Sequence, residues 1–168
     1  MSGWSGVVRS ATRDDVVSIN TIYNSYIIDS HVSFDTDPWS IDDRLAWFDQ
    51  HTRDGFPILV AEDDEVIGAA WAGPWRHKPA YQRSVETTII LAGGSHGAGV
   101  GTRLYGALID ELVSRGIHRC YAIVALPNDV SIALHHKLGF GTIGTLDEVG
   151  YKDGTYISTM LLELRLDS

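Results

Sequence analysis

The segment His96-Gly97-Ala98-Gly99-Val100-Gly101 joins a run of β-branched residues, Ser84 to Leu91, to a stretch carrying Leu104, Leu108 and Leu112 at helical spacing. Glycines there free the backbone to turn its N–H groups toward an anion, and the helix that follows adds its positive N-terminus. A strand, a glycine turn and a helix in that order call for a layered domain in which helices cover a sheet. The residues exclude two other phosphate loops. A Walker loop needs Lys and then Ser or Thr after its last glycine, but Val100 and Gly101 follow Gly99. A dinucleotide fingerprint needs glycine where Thr102 stands. What remains is a cradle for a pyrophosphate or a merely flexible connection, and the loop alone does not choose between them.

The flanking sequence fills in the layers. Val7 to Ser10 reads as a first strand. Thr12-Arg13-Asp14-Asp15 is a helix-capping signature, followed at helical spacing by Val16, Ile19, Ile22, Tyr23 and Tyr26. Ser40-Ile41-Asp42-Asp43 opens a second helix that turns Ile41, Leu45 and Phe48 inward. Pro57–Glu62 and Glu65–Gly73, parted by two aspartates, form a hairpin, and Ser84–Leu91 is the next strand. A helix from Thr102 to Arg115 stops at Gly116. Cys120–Leu126 is a strand, Val130–Leu138 a short helix, and Phe140–Leu146 with Tyr156–Leu164 closes the sheet. The order β-α-α-β-β-β-α-β-α-β-β is a mixed α/β, or α+β, domain on one sheet. No repeat or linker divides it, so residues 1–168 are expected to form a single domain.

Composition narrows the partners. Lys and Arg number 13 against 22 Asp and Glu, a net charge of −9, which opposes nucleic acid or anionic membrane as a partner held by positive charge. No apolar run is long enough to span a bilayer, and Met1 to Val8 lacks the basic and apolar regions of a leader, so a cytoplasmic location is expected. The lone Cys120 excludes an internal disulfide and a cysteine-built zinc site.

Glu86 is the one acidic residue between Val66 and Ile109, and it lies in an apolar strand beside the glycine loop. A carboxylate there is costly unless water, a cation or hydrogen bonds compensate it. It is either a strand residue pointing to solvent or a general base whose pKa burial has raised toward the working pH. His135 is a second titratable candidate, structural or catalytic, and Asn128 fits a helix cap. Gly73 to Arg83 carries Arg76, Lys78 and Arg83 without an acid. Three loop cations are either solvated or, through an Arg fork, suited to a carboxylate or phosphinate.

Several further segments keep a common order and spacing over about residues 7–164: Ser33-Phe34-Asp35-Thr36-Asp37-Pro38, Ala72-Gly73-Pro74-Trp75-Arg76, Val85-Glu86-Thr87, Leu126-Pro127-Asn128-Asp129, Leu134-His135-His136-Lys137-Leu138-Gly139-Phe140 and Gly150-Tyr151-Lys152. With the glycine loop they resemble the GNAT acetyltransferase superfamily, and within it the phosphinothricin and methionine sulfoximine N-acetyltransferase group. The resemblance implies the GNAT fold, a single mixed, mostly antiparallel sheet of about seven strands flanked by about four helices. It implies acetyl-CoA as co-substrate, no metal, a small amino-acid-like acceptor and a homodimer. Acetyl-CoA contacts would come from Thr88, Ile89 and Ile90, from His96, Gly97, Ala98, Gly99, Val100 and Gly101, and from Asn128. The acceptor would meet Trp75, Arg76, His77, Val85 and Thr87, with Phe34 and Tyr81 completing an apolar wall. Glu86 would be the general base, and His135 would stand where many relatives place a Tyr that protonates the departing thiolate. His96, Ala98 and Gly93-Gly94 depart from the usual loop. They keep open a rival from another class, a CoA-binding or sensing module with little turnover. Acetylation of a polyamine or a peptide N-terminus is a further alternative.

Overall fold

The computed structural model describes residues 4–166, so residues 1–3 of the segment read as lacking a leader lie outside it. The strands are β1 (Val7–Ser10), β2 (Ile58–Asp63), β3 (Glu65–Pro74), β4 (Ser84–Leu91), β5 (Arg119–Ala125), β6 (Gly141–Lys152) and β7 (Thr155–Arg165). The helices are α1 (Val16–Asp29), α2 (Ile41–Arg53), α3 (Val100–Ser114) and α4 (Asp129–Lys137). The strands form the expected mixed sheet, ordered β1-β2-β3-β4-β5-β7-β6, and every neighbouring pair is antiparallel except β4 with β5.

Alternation along β4 divides the sheet's two faces. Val85 and Leu91 join the core under α3, where Leu104, Leu108 and Leu112 pack with Cys120, Ala122 and Leu162. Ile90 faces the other way, into the core that α1 and α2 cover with Val16, Ile19, Ile22 and Phe48. The parallel ladder between β4 and β5 is short, pairing Ser84–Glu86 with Arg119–Tyr121. Beyond it the two strands are no longer paired, leaving an opening between them.

Some expectations need correction. Ile41 is 39% exposed, and the inward position on α2 belongs to Arg44, 1% exposed. Its guanidinium lies 4.2 Å from the Tyr23 ring and 4.0 Å from that of Trp39, so aromatic faces compensate a cation that solvent no longer reaches. Thr12–Asp15 caps a single 3-10 turn, Arg13–Asp15, that leads into α1. α3 begins at Val100 rather than Thr102 because Gly99, at φ +85°, ends the loop directly before it. β6 does not stop at Leu146 but continues to Lys152 through two register shifts. Two-residue alternation cannot be followed across such shifts.

The far end of β6 fastens the chain segment after α1. Lys152 is 5% exposed, and its ammonium donates to the carbonyls of Ile27 (2.8 Å), Ser30 (3.0 Å) and Ser33 (2.9 Å). A cation at the C-terminal end of α1 also complements the helix dipole. Lys152→Met keeps the length of the side chain and strips all three carbonyls of their donor. It is expected to cost about 3 kcal/mol and to lower Tm by roughly 10 °C in a chain of this size. Calorimetric melting checks this, and an unchanged Tm would mean that water replaces the ammonium without loss.

Candidate active site

Glu86 sits where the β4–β5 ladder ends, opposite Gly73 of β3 on one side and Tyr121 of β5 on the other. Its side chain points to the α1–α2 face, opposite to Val85 and Thr87. Glycine at position 73 leaves room beside the carboxylate; the nearest heavy atom to a Cβ built there is His51 Cε1, at 3.5 Å. His51 Nε2 bonds the Ala72 carbonyl, and burial holds this imidazole below its usual pKa. Tyr121 shares the Glu86 face, since Cys120 and Ala122 on either side of it are in the α3 core. Trp75 stacks on Tyr121, with centroids 4.4 Å apart and planes 24° from parallel. The Arg76 guanidinium covers Trp75 at 4.3 Å.

The result is a half-buried carboxylate beside a stack of cation, indole and phenol. Burial pushes the Glu86 carboxyl above the ordinary range, and the Arg76 cation opposes that shift in part. A carboxylate of raised pKa next to an anchored cation can take a proton from an ammonium while the cation holds an anionic group of the same molecule.

The open edge of β4 is the second component. Leu91 presents its N–H and C=O to Tyr26, whose hydroxyl accepts at 3.2 Å and donates at 2.8 Å. Main-chain groups alternate edges along an antiparallel ladder, so Ile89 turns its own to that same open side. Thr88 and Ile90, also expected to contact the cofactor, direct theirs to β3. Past Leu91, Gly94, Gly97 and Gly99 hold φ of +85°, +88° and +85°, and nothing lies within 4 Å of a Cβ built on any of them. This is an open cradle at the N-terminus of α3, lined by exposed His96 and Ala98. It fits a pyrophosphate, with backbone N–H groups and the helix dipole in place of a basic side chain. Gly101 plays a different part: its α-hydrogen faces Leu91 and Leu134, each 3.3 Å from a built Cβ, so it serves helix packing. Val100 is likewise buried in the α3 core.

Three expected contacts point elsewhere. Val85 and Thr87 are buried on the α3 face, so only their main chain can meet an acceptor in the Glu86 pocket. Thr87 Oγ1 instead lies 2.7 Å from Tyr105 Oη and 3.2 Å from the Tyr121 carbonyl, extending the β4–β5 joint by one side chain. His135 is 3% exposed; its Nδ1–H donates to the Ser131 carbonyl (2.7 Å) and its Nε2 faces Tyr105 Oη (3.1 Å). Burial holds the ring below its usual pKa and therefore neutral, and both nitrogens are occupied. His135 is thus a prop for Tyr105 rather than an acid open to a thiolate. Asn128 caps α4, accepting from Ser131 N–H at 3.2 Å.

Phe34, 43% exposed, packs against Gly150 of β6, where any Cβ would fall 2.4 Å from its ring. His77 and Tyr81 are exposed on the β3–β4 connection. Cys120 is buried and its thiol is pushed up to about 12, which keeps it protonated and unfit as a nucleophile at neutral pH. The sequence reading missed Tyr121 and Tyr26. Tyr121 follows from alternation once the β5 register is known, whereas nothing local in the sequence signals the long reach of Tyr26 to Leu91.

The profile of the Acetyltransferase (GNAT) family matches residues 19–140. A phosphinothricin N-acetyltransferase of Streptomyces coelicolor is 40% identical over 153 residues, covering 89% of this chain and 90% of that protein. An L-methionine sulfoximine/L-methionine sulfone acetyltransferase of Pseudomonas aeruginosa is 34% identical over 165 residues, covering 97% and 96%. Among solved structures, a phosphinothricin acetyltransferase from Sinorhizobium meliloti in complex with acetyl-CoA superposes with a TM-score of 0.93 at 30% identity, covering 97% of this chain and 89% of that one.

Proposed function

The chain belongs to the GNAT acetyltransferase family, and on that premise we propose that residues 1–168 form one catalytic domain that acetylates the amine of a small amino-acid analogue of the phosphinothricin or methionine sulfoximine type. The observation that carries this is Glu86, half-buried at the apex of the β4–β5 opening, with the Arg76–Trp75–Tyr121 stack beside it. Acetyl-CoA, when bound, supplies an acyl group activated as a thioester.

Backbone N–H groups of the loop through Gly99 would hold its pyrophosphate, and the open edge of β4 at Ile89 would take its pantetheine arm. Arg76 would hold the acceptor's anionic group against the Trp75 ring. Glu86, directly or through a water, would take a proton from the acceptor's ammonium, since only the neutral amine has a lone pair to give. The amine would add to the thioester carbonyl, and as the C–S bond breaks its electron pair would leave on the thiolate, which takes up the second proton that the nitrogen sheds on becoming an amide. Thr87, Tyr105 and His135 would set the splay of the two strands from behind, without touching the reacting atoms.

The same proposal keeps the enzyme in the cytoplasm and gives it a second copy of itself as partner. β6 is an edge strand and exposes Ile143, Leu146, Val149 and Tyr151, with Tyr156 beside them on β7. No helix among the described residues is long and apolar enough to cross a membrane.

A thiol-release assay with acetyl-CoA over amino acids, sulfoximines, sulfones, phosphinothricin and polyamines tests the whole reading. Turnover confined to the amino-acid analogues is expected. Tight acetyl-CoA binding with no turnover on any amine would favour a binding module instead. Arg76→Ala is expected to raise KM for anionic acceptors roughly ten- to a hundredfold more than for neutral amines, the equivalent of one lost charged hydrogen bond. Equal losses for both acceptor types would make Arg76 structural.

A further inference from the structure

The glycine cradle carries no lysine or arginine of its own, and its left-handed glycines give it many alternative conformations to lose on ordering. One residue reaches it from far along the chain. Trp4 donates its backbone N–H to the carbonyl of Ala98 at 3.1 Å, in the middle of the loop. In return, Arg103, in the first turn of α3, donates from Nη1 to the Trp4 carbonyl at 2.8 Å and lays its guanidinium 4.5 Å from the Trp4 ring centre. The other loop bonds, Ser95 N–H to Ala92 and Arg103 N–H to Gly99, stay within the strand–loop–helix segment. The indole itself lies over Gly6, where a built Cβ would come 2.6 Å from the ring. Position 6 has to be glycine on two counts, because the same Cβ would also fall 2.2 Å from the Glu62 carbonyl oxygen.

From this bracket we infer that Trp4 is a positioning residue for acetyl-CoA. The described residues before β1, 4–6, strap the loop to the first turn of α3 and hold the Gly97–Gly99 amides in the arrangement that receives the pyrophosphate. The strap ties the middle of the loop, at Ala98, to the first turn of α3, at Arg103. The ring's contacts with Gly6 and Arg103 restrict where the Trp4 main chain can lie, so removing the ring is expected to loosen both main-chain bonds. A loop held before the ligand arrives has less freedom to lose on binding, and the gain appears as affinity. The Arg103 guanidinium keeps further N–H groups that Trp4 does not use, facing solvent beside the same helix terminus. The inference rests on reading residues 93–101 as the acetyl-CoA loop.

The test compares Trp4→Ala, Trp4→Phe and a chain beginning at Ser5 with the parent, by calorimetric titration of acetyl-CoA, steady-state kinetics and amide hydrogen exchange. Trp4→Ala and the shortened chain are expected to bind acetyl-CoA about tenfold more weakly, the size of one net hydrogen bond with one exposed cation–π contact. KM for acetyl-CoA rises with Kd, while kcat at saturation and KM for the acceptor stay unchanged. Trp4→Phe, which retains a ring for Arg103, recovers most of the affinity. Amides 96–100 exchange faster in Trp4→Ala than in the parent. Unchanged affinity in both Trp4→Ala and the shortened chain overturns the inference, as does a loss of kcat equal to the loss of affinity. If the parent itself fails to bind acetyl-CoA, the functional reading is what falls. The exchange rates of amides 96–100 then still decide the strap, and identical rates in parent and Trp4→Ala refute it.

Discussion

Replacing Glu86 by Gln is expected to lower kcat about 10²- to 10⁴-fold, the span usual for loss of a general base, with acetyl-CoA affinity nearly intact. The change is almost isosteric, so the Arg76–Trp75–Tyr121 stack keeps its place. Its stability consequence has the opposite sign. Burial raises the Glu86 pKa in the folded chain. The folded state therefore holds the proton to higher pH than the unfolded state does. The stability this group contributes is complete below the unfolded value and is lost as pH rises through the folded one. At neutral pH the ionised carboxylate is a burden on the fold, and Glu86→Gln should melt at the same temperature as the parent or higher. The pH–rate profile should move with it: kcat/KM of the parent rises as Glu86 ionises, and that limb disappears in the variant. A variant that keeps full rate across pH 6–9 would remove Glu86 from the chemistry. Low activity with a lower Tm would make the residue structural.

The second large effect belongs to Gly99. Its φ of +85° is a conformation that a β-branched residue rarely adopts, and a Cβ there projects into the open mouth of the cradle. Gly99→Val should therefore both bend the loop and block the approach of a phosphate to its amides. Losing two charge-assisted N–H bonds of about 1.5–3 kcal/mol each weakens acetyl-CoA binding roughly a hundredfold or more. Gly101 is the wrong site for this experiment, although it is the last glycine of the run. A valine there would drive into Leu91 and Leu134, and lost binding would reflect displaced helices. Calorimetric titration of folded Gly99→Val decides, and parental affinity would show that the pyrophosphate is held elsewhere.

Why Gly99 and Gly101 differ illustrates what the sequence could and could not disclose. Three glycines in six residues suggest a phosphate cradle, but only backbone angles separate the open left-handed glycines from the one that makes room for a neighbour. Glu86 stood out as a candidate because an acid is rare in that part of the chain, and Arg76 because its loop contains no acid. Val85 and Thr87 were misjudged by adjacency. Both flank Glu86 in sequence, yet a strand sends alternate side chains to opposite faces, and theirs went to α3. In the sequence His135 is open between a structural and a catalytic role, the latter resting on the family resemblance. Burial and two hydrogen bonds gave it the structural one, and those come from α3 and from the preceding turn of its own helix. Tyr121 required the parallel register of β4 against β5, a pairing between strands separated by a whole helix. The largest boundary error was in β6, where register shifts carry the strand beyond its apparent end; α3 began only two residues before its expected start.

That parallel pairing has a mechanical consequence. Three ladder positions, one threonine side chain and the helices behind them connect a leaf of β1 to β4 with a leaf of β5 to β7. A sheet joined this narrowly is less a single slab than a book bound along part of its spine. Whatever stiffens the spine from behind therefore also decides how widely the book stands open.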